Sequence, residues 1–432
     1  MIHECVIIAD HDGALVELCG ITILERLLRS LQRCGISRAF ILTGTPRINP
    51  ESVTNSSWAR PQLELTICPS SRPITAEQAL AIWPQTTPLL PAFRADTVFD
   101  IRLLQFLLRQ TSPAALFDSS VPAQIQPLVT PARHSVAGKI SCGASLMRRD
   151  WAAVQLGPWE NVVAAGVDRG AISILNVNDR PTYSAALRKN LRPYWFPAPS
   201  ADQTKIAENV LLDSVQKGSQ DLPALVHAPI ERFLVSHLCQ TGVRPDYLTI
   251  SWAITALLAT LFFAGGHLVR GLLCALVVGI LDGLDGKQAR IKVETTKRGK
   301  WEHHLDSFFE VAWPTALAYY FHTSGQLPNA YFYLFIFILV QALDGIAKGA
   351  IYYVAEQSKQ PAGRFDRMVR FLGGRRNVYV WILAATMLLG VPAKSLVVMA
   401  WWEGCTALLD LPHAAWAIHW LRRNRRPATG SA

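Results

Sequence analysis

Four carboxylates define the chemistry this chain could perform. Asp282 and Asp285 stand three residues apart and Asp306 and Glu310 four apart, all within LDGLDGKQARIKVETTKRGKWEHHLDSFFE, residues 281–310. Those steps put each pair on one face of its helix. Both pairs lie at the ends of apolar segments of membrane-spanning character, where a carboxylate costs about 2.5–3.5 kcal/mol even on lenient insertion scales. Several together predict function. Two facing pairs of oxygen ligands suit a hard divalent cation such as Mg²⁺ or Mn²⁺.

The spacing around them is specific. Asp282-x-x-Asp285-Gly286-x-x-Ala289-Arg290 is followed after eight residues by Gly299 and then by the second acidic pair. This resembles the CDP-alcohol phosphotransferase family, whose pattern is D-x2-D-G-x2-A-R-x8-G-x3-D-x3-D. The first half matches without a gap, and DGKQAR is similar to the wording in choline and ethanolamine phosphotransferases. Past Gly299 the register departs, since the expected aspartates fall on His303 and Ser307. Asp306 and Glu310 keep the four-residue step three places later. Two readings stand. A short insertion makes Asp306 a metal ligand and Glu310 the general base, whereas the family register gives His303 a ligand or base role. The insertion is favoured because glutamate can replace aspartate as a base and Ser307 cannot readily do so. Glu302, one turn before Asp306, is a further candidate ligand.

The resemblance implies a reaction in which a CDP-alcohol donor loses CMP as a hydroxyl acceptor, a polyol or a lipid, attacks phosphorus. It implies two divalent ions, Mg²⁺ or Mn²⁺, on Asp282, Asp285 and Asp306, with the substrate against Gly286, Ala289, Arg290 and Gly299. A glycine lets a nucleotide approach the backbone, and an arginine can fork onto phosphate. Membrane lipids as surroundings and a homodimer are further implications. Two other functions remain open: an impaired nucleotide- or lipid-binding membrane scaffold, and a bifunctional protein with cytidylyltransferase activity at its N-terminus.

These residues must be positioned by a membrane domain. Half of the 432 residues are hydrophobic and the mean hydropathy is +0.20. Nearly all long apolar runs fall in 247–420, at about 247–266, 268–284, 302–323, 328–352, 377–392 and 395–420, each near the roughly 20 residues a bilayer requires. The net charge of +10 is concentrated in loops beside these segments, which argues for the positive-inside rule and anionic headgroups and against nucleic acid. In a six-span arrangement the basic groups at 287–300, 348–376 and 422–426 share one side. The carboxylates, both termini and the soluble half are then expected to be cytosolic. Residues 227–242 predict a juxtamembrane helix, either interfacial or packed as a connector. Arg244–Thr249 resembles the family's start of the first span, with Pro245 at its first turn and Asp246 or Thr249 as cap. No secretory signal is expected from MIHECVIIADHDG, and eight scattered cysteines read as reduced thiols.

The first half has mixed composition. IHECVIIA (2–9), ITILERLLRSLQRCGIS (21–37) and AFILTG (39–44) predict strand, helix and strand of a parallel sheet. The order resembles nucleotidyltransferases that make activated CDP-alcohols or nucleotide sugars. Residues 10–20 lack the glycine-rich loop and basic residue of active members, so a degenerate binding or structural domain is expected. Asp96 and Asp179 stand where that family's metal-binding aspartates fall. The fold expected is an N-terminal α/β nucleotidyltransferase-like (Rossmann-like) domain, 1–195, and a linker, 196–226. An all-α membrane domain of six transmembrane helices, 227–426, and a tail, 427–432, complete it.

Overall fold

The structure is a computed structural model that describes residues 2–49, 63–83, 88–129, 135–136, 138–184, 186–218, 221–294, 299–358 and 364–424. The apolar run after Glu4 buries Cys5 through Ala9 and becomes β1 (Glu4–Ala9), the middle of the main sheet. The other main strands are β2 (Arg38–Thr43), β3 (Glu64–Pro69), β4 (Leu89–Arg94), β5 (Ala114–Asp118), β6 (Lys139–Arg148) and β7 (Ser173–Asn176). They lie in the order β7-β5-β6-β4-β1-β2-β3. Strands β3, β2, β1 and β4 are mutually parallel, while β6 is antiparallel to both neighbours. The N-terminal half is therefore α/β, with its strand order reversing between β1 and β4. Helix α1 (Ile23–Arg33) begins where Thr22 accepts from the Glu25 amide at 3.1 Å, an N-cap that satisfies one orphan donor.

Segment 196–226 is more than the expected linker. It contains α2 (Thr204–Val215), because Ala207, Leu211, Leu212 and Val215 bury on one face in the core of the α/β domain. Then come α3 (Ala224–Leu238), α4 (Pro245–Ala264), α5 (Leu268–Ile291), α6 (Gly299–Thr323), α7 (Ala330–Ser358), α8 (Arg364–Leu372), α9 (Arg376–Leu388) and α10 (Lys394–Asn424). Six of these, α4–α7, α9 and α10, correspond to the six apolar segments. By length and apolarity two qualify as candidate membrane spans among the described residues: α4 and 330–354 of α7, each with a mean hydropathy of 1.8. The polar motif residues dilute the apolar character of α5 and α6. The α4 cap also differs from expectation. Arg244 occupies the cap position without a side-chain bond, and Thr249 bonds elsewhere.

The two halves share one core. The cluster under the sheet runs from Cys5, Leu24 and Leu28 through Leu211 and Val235 to Leu248, Leu284 and Ile291. The motif-bearing helix α5 is thus packed directly on the α/β domain.

Candidate active site

Helix α5 carries the first carboxylate pair and α6 the second. The residue that joins them is Arg376, at the start of α9. Its guanidinium donates to Asp306 and lies 3.3 Å from Asp282. Arg376 is 5% exposed and sits near Trp252 and Trp313, at 5.4 and 5.7 Å from their ring centroids. Glu310 lines the same apolar notch as Arg376, with Trp313 and Tyr379. Asp306, of the register with the short insertion, therefore shares a cation with Asp282. The His303 side chain lies outside the described residues, as does that of Glu302.

Asp285 is engaged differently. One carboxylate oxygen accepts from the Thr249 hydroxyl at 2.9 Å and the other from the Gly286 amide, so it ties α4 to α5. Gly286 faces the Arg290 guanidinium, where an added Cβ would stand 3.2 Å from it. Ala289 is half-buried near the C-terminal end of α5, and Gly299 begins α6. Arg290 Nε donates to the Val215 carbonyl at 3.1 Å, turning this motif residue toward the α/β domain.

Three residues escaped the sequence reading. Arg376 counted there only as one of many basic charges, although an arginine opening an apolar segment was a visible signal. Lys287 and Lys292, read as interface charges, are buried: Lys287 pairs with Glu231, and Lys292 donates to the Thr241 carbonyl at 2.7 Å. Glu231 lies on the buried face of α3 with His227 and Val235, one helical turn apart each. That face approaches α5 where its glycines leave room. A Cβ on Gly283 would be 2.4 Å from the Glu231 carboxylate, and one on Gly279 would be 2.7 Å from the His227 ring. The other face of α3 exposes Leu225, Val226, Ile230 and Phe233, as an interfacial helix does.

The residues fit a divalent ion in donor chemistry, since Asp282 and Asp306 converge on one positive charge. Among the described residues no three His, Cys, Asp or Glu side chains form a closed metal cage.

The α/β domain has its own polar cluster at the strand-order reversal, where ligands of open α/β sheets bind. Arg94, at the end of β4, holds Asp96 through two bonds of 3.0 and 2.7 Å, Glu160 at 2.6 Å and Asp10 at 3.4 Å. Burial opposes its charge, yet these carboxylates hold its pKa above the usual arginine value. Asp96 is thus committed to an internal cation, and Asp179 is exposed after β7. The strands preceding them are three inter-strand steps apart, about 14 Å.

Comparison with known proteins bears on both halves of the chain. Residues 243–416 match the family model described as CDP-alcohol phosphatidyltransferase. A protein of Aquifex aeolicus (strain VF5), "Bifunctional IPC transferase and DIPP synthase", is 25% identical over 215 residues, 48% of this chain. The chain spans about half of that relative, 47% of its length. Distant solved structures include the inositol-1-phosphate CTP transferase from T. maritima, with a TM-score of 0.35 and 11% identity over 48% of this chain and 96% of that one. Another is UTP-bound UGPase from Acinetobacter baumannii, with a TM-score of 0.35 and 10% identity over 49% and 94%. The chain therefore carries a domain of the CDP-alcohol phosphatidyltransferase family at residues 243–416, joined to an N-terminal α/β domain.

Proposed function

We propose that this protein is an integral membrane transferase that moves a phosphoryl-alcohol group from a CDP-alcohol to a hydroxyl acceptor and releases CMP. The observation that carries the reading is the convergence of Asp282 and Asp306, from two helices, on the single cation of Arg376. A pair that binds one buried positive charge is built for positive charge.

Asp282, Asp306 and, once freed from Thr249, Asp285 would hold Mg²⁺ or Mn²⁺, which supplies charge neutralisation for a pyrophosphate. Gly286 leaves the α5 backbone open to the nucleotide. Arg376 stands beside two carboxylates and can turn its guanidinium to a phosphate oxygen. Glu310, in the notch beside it, accepts the proton from the acceptor hydroxyl as that oxygen bonds to phosphorus and the CMP oxygen leaves. Phe263, Phe309, Trp313 and Tyr379 line this notch and help to exclude water from it.

Six helices spanning the bilayer, with the carboxylates on the cytosolic side, is the placement the charge pattern favours. The N-terminal domain is read as nucleotidyltransferase-like in strand order and non-catalytic in chemistry, because Arg94 already neutralises Asp10 and Asp96.

CMP release by the purified full-length protein, with candidate CDP-alcohols and Mg²⁺ or Mn²⁺, tests the proposal. Asp282→Ala, Asp306→Ala and Glu310→Gln are each expected to lower the rate by at least about 100-fold, and His303→Ala by little. Full activity in Asp306→Ala with loss in His303→Ala would restore the other register. No turnover with any donor would leave the scaffold reading.

A further inference from the structure

We propose that the cavity between the α/β domain and the end of α5 is a binding site for a phosphate monoester. It is distinct from the carboxylate site and does not depend on the transferase reading. The cavity has a volume of about 500 Å³ and is lined by α1, α2, the 183–194 loop and the C-terminal residues of α5. Its charge is one-sided. Asp100, the carboxylate in the lining, is already bound by Arg102 at 2.7 Å. Arg26, Arg33 and Arg290 also line the wall.

Arg26 is the second observation. It is 5% exposed and donates only to neutral carbonyls, those of Leu18 and Ile291. Its Nε has no partner. Burial lowers its pKa, and the neighbouring Arg29 guanidinium lowers it further. A buried guanidinium held only by carbonyls is costly unless an anion completes its shell. Arg290 brings a second guanidinium from the opposite domain, and Arg33 stands at the rim. Ser30, Ser214 and Tyr194 add hydroxyls at the same wall. Guanidinium groups from two sides, one with an unpartnered Nε, match the double charge of a phosphate monoester. Phe99, Leu187 and Leu191 form an apolar flank for the body of the molecule that bears it. Because Arg290 also lies over Gly286, an occupant touches the first half of the motif from behind.

Binding is measured calorimetrically on the full-length protein in phosphatidylcholine nanodiscs with EDTA present, using inorganic phosphate and glycerol phosphate as probes. Saturable binding of one probe per chain is expected. Arg33→Glu at the rim and Leu187→Trp within the cavity should each weaken it about tenfold or more, with melting temperatures checked for folding. Asp282→Asn should leave it intact. Phosphatidic acid added to the disc separates the sources: displacement of the probe assigns the same phosphate to a lipid headgroup, and no displacement assigns it to a soluble molecule. The proposal is overturned by no saturable binding in EDTA, by unchanged affinity in folded Arg33→Glu and Leu187→Trp, or by loss in Asp282→Asn. Persistent CMP release alongside such a result would leave the transferase reading standing.

Discussion

Arg376 shows how one side chain can organise a site that lacks an intrinsic positive charge. Asp282 and Asp306 come from different helices and repel each other unless a cation lies between them. The guanidinium supplies that cation and itself lies near two indoles, where a cation–π contact adds roughly 0.5–2 kcal/mol. Removing it should expose the repulsion. Arg376→Gln is expected to lower the melting temperature in EDTA, and Mg²⁺ or Mn²⁺ should recover more stability in this variant than in the parent. Thermal melts with and without metal check this, and equal metal responses would argue against a shared cation position. The first half of the site could be read from the sequence because its spacing is gapless. The partners of Arg376 could not, since a contact between residues 70 positions apart leaves no local periodicity.

Helix α3 owes its position to glycines on α5 and to the polar face it turns inward. A periodic pattern of Ile230, Phe233, Leu234 and Leu238 makes the helix legible, with an interfacial place and a packed connector both open. The structure buries His227, Glu231 and Val235, packs Leu234 and Leu238 partly against the core and leaves Ile230 and Phe233 exposed; a glycine stripe accepts short-range polar packing that larger residues would block. Gly283→Leu should therefore push the Glu231 carboxylate away from its partner Lys287. Its Cβ alone would meet the Glu231 carboxylate at 2.4 Å, an overpacking that typically costs about 1–3 kcal/mol; an unchanged melting temperature would refute the close approach. The same face makes a pH prediction. Burial lowers the His227 pKa below its ordinary 6.5, so the unfolded chain binds the proton more readily than the folded one. Stability from this group is full above about pH 6.5 and falls as pH drops through the folded value. Acid melts of the parent and His227→Gln should differ, with the shallower loss in the variant.

At the scale of the whole molecule, the two halves are joined by buried charge as well as by a common core. Both domains and all six apolar helices were legible because composition changes sharply near residue 225 and helices obey their period. Their docking was not, because it depends on which surface of α1 meets the end of α5. Arg29 of α1 lies at that junction, 2% exposed. It bonds Glu25 at 2.9 Å in its own helix, and the Lys292 carbonyl at 2.7 Å and Glu294 at 2.9 Å just past α5. The arginine thereby caps the Lys292 carbonyl at a helix C-terminus, where positive charge is favoured. Truncating one partner of a buried ion pair costs about 3–5 kcal/mol, and the partial exposure of Glu25 and Glu294 places Arg29→Ala at the lower end. The loss should fall on the junction. Hydrogen exchange is then expected to rise in 288–294 and in α1 while β1 and β4 stay protected, because the sheet core does not depend on this contact. Uniform protection in Arg29→Ala would mean that apolar packing of Leu284 and Ile291 alone holds the domains together. Exchange confined to the junction would mean that the α/β domain sets the position of α5, and with it the angle at which Asp282 faces Asp306.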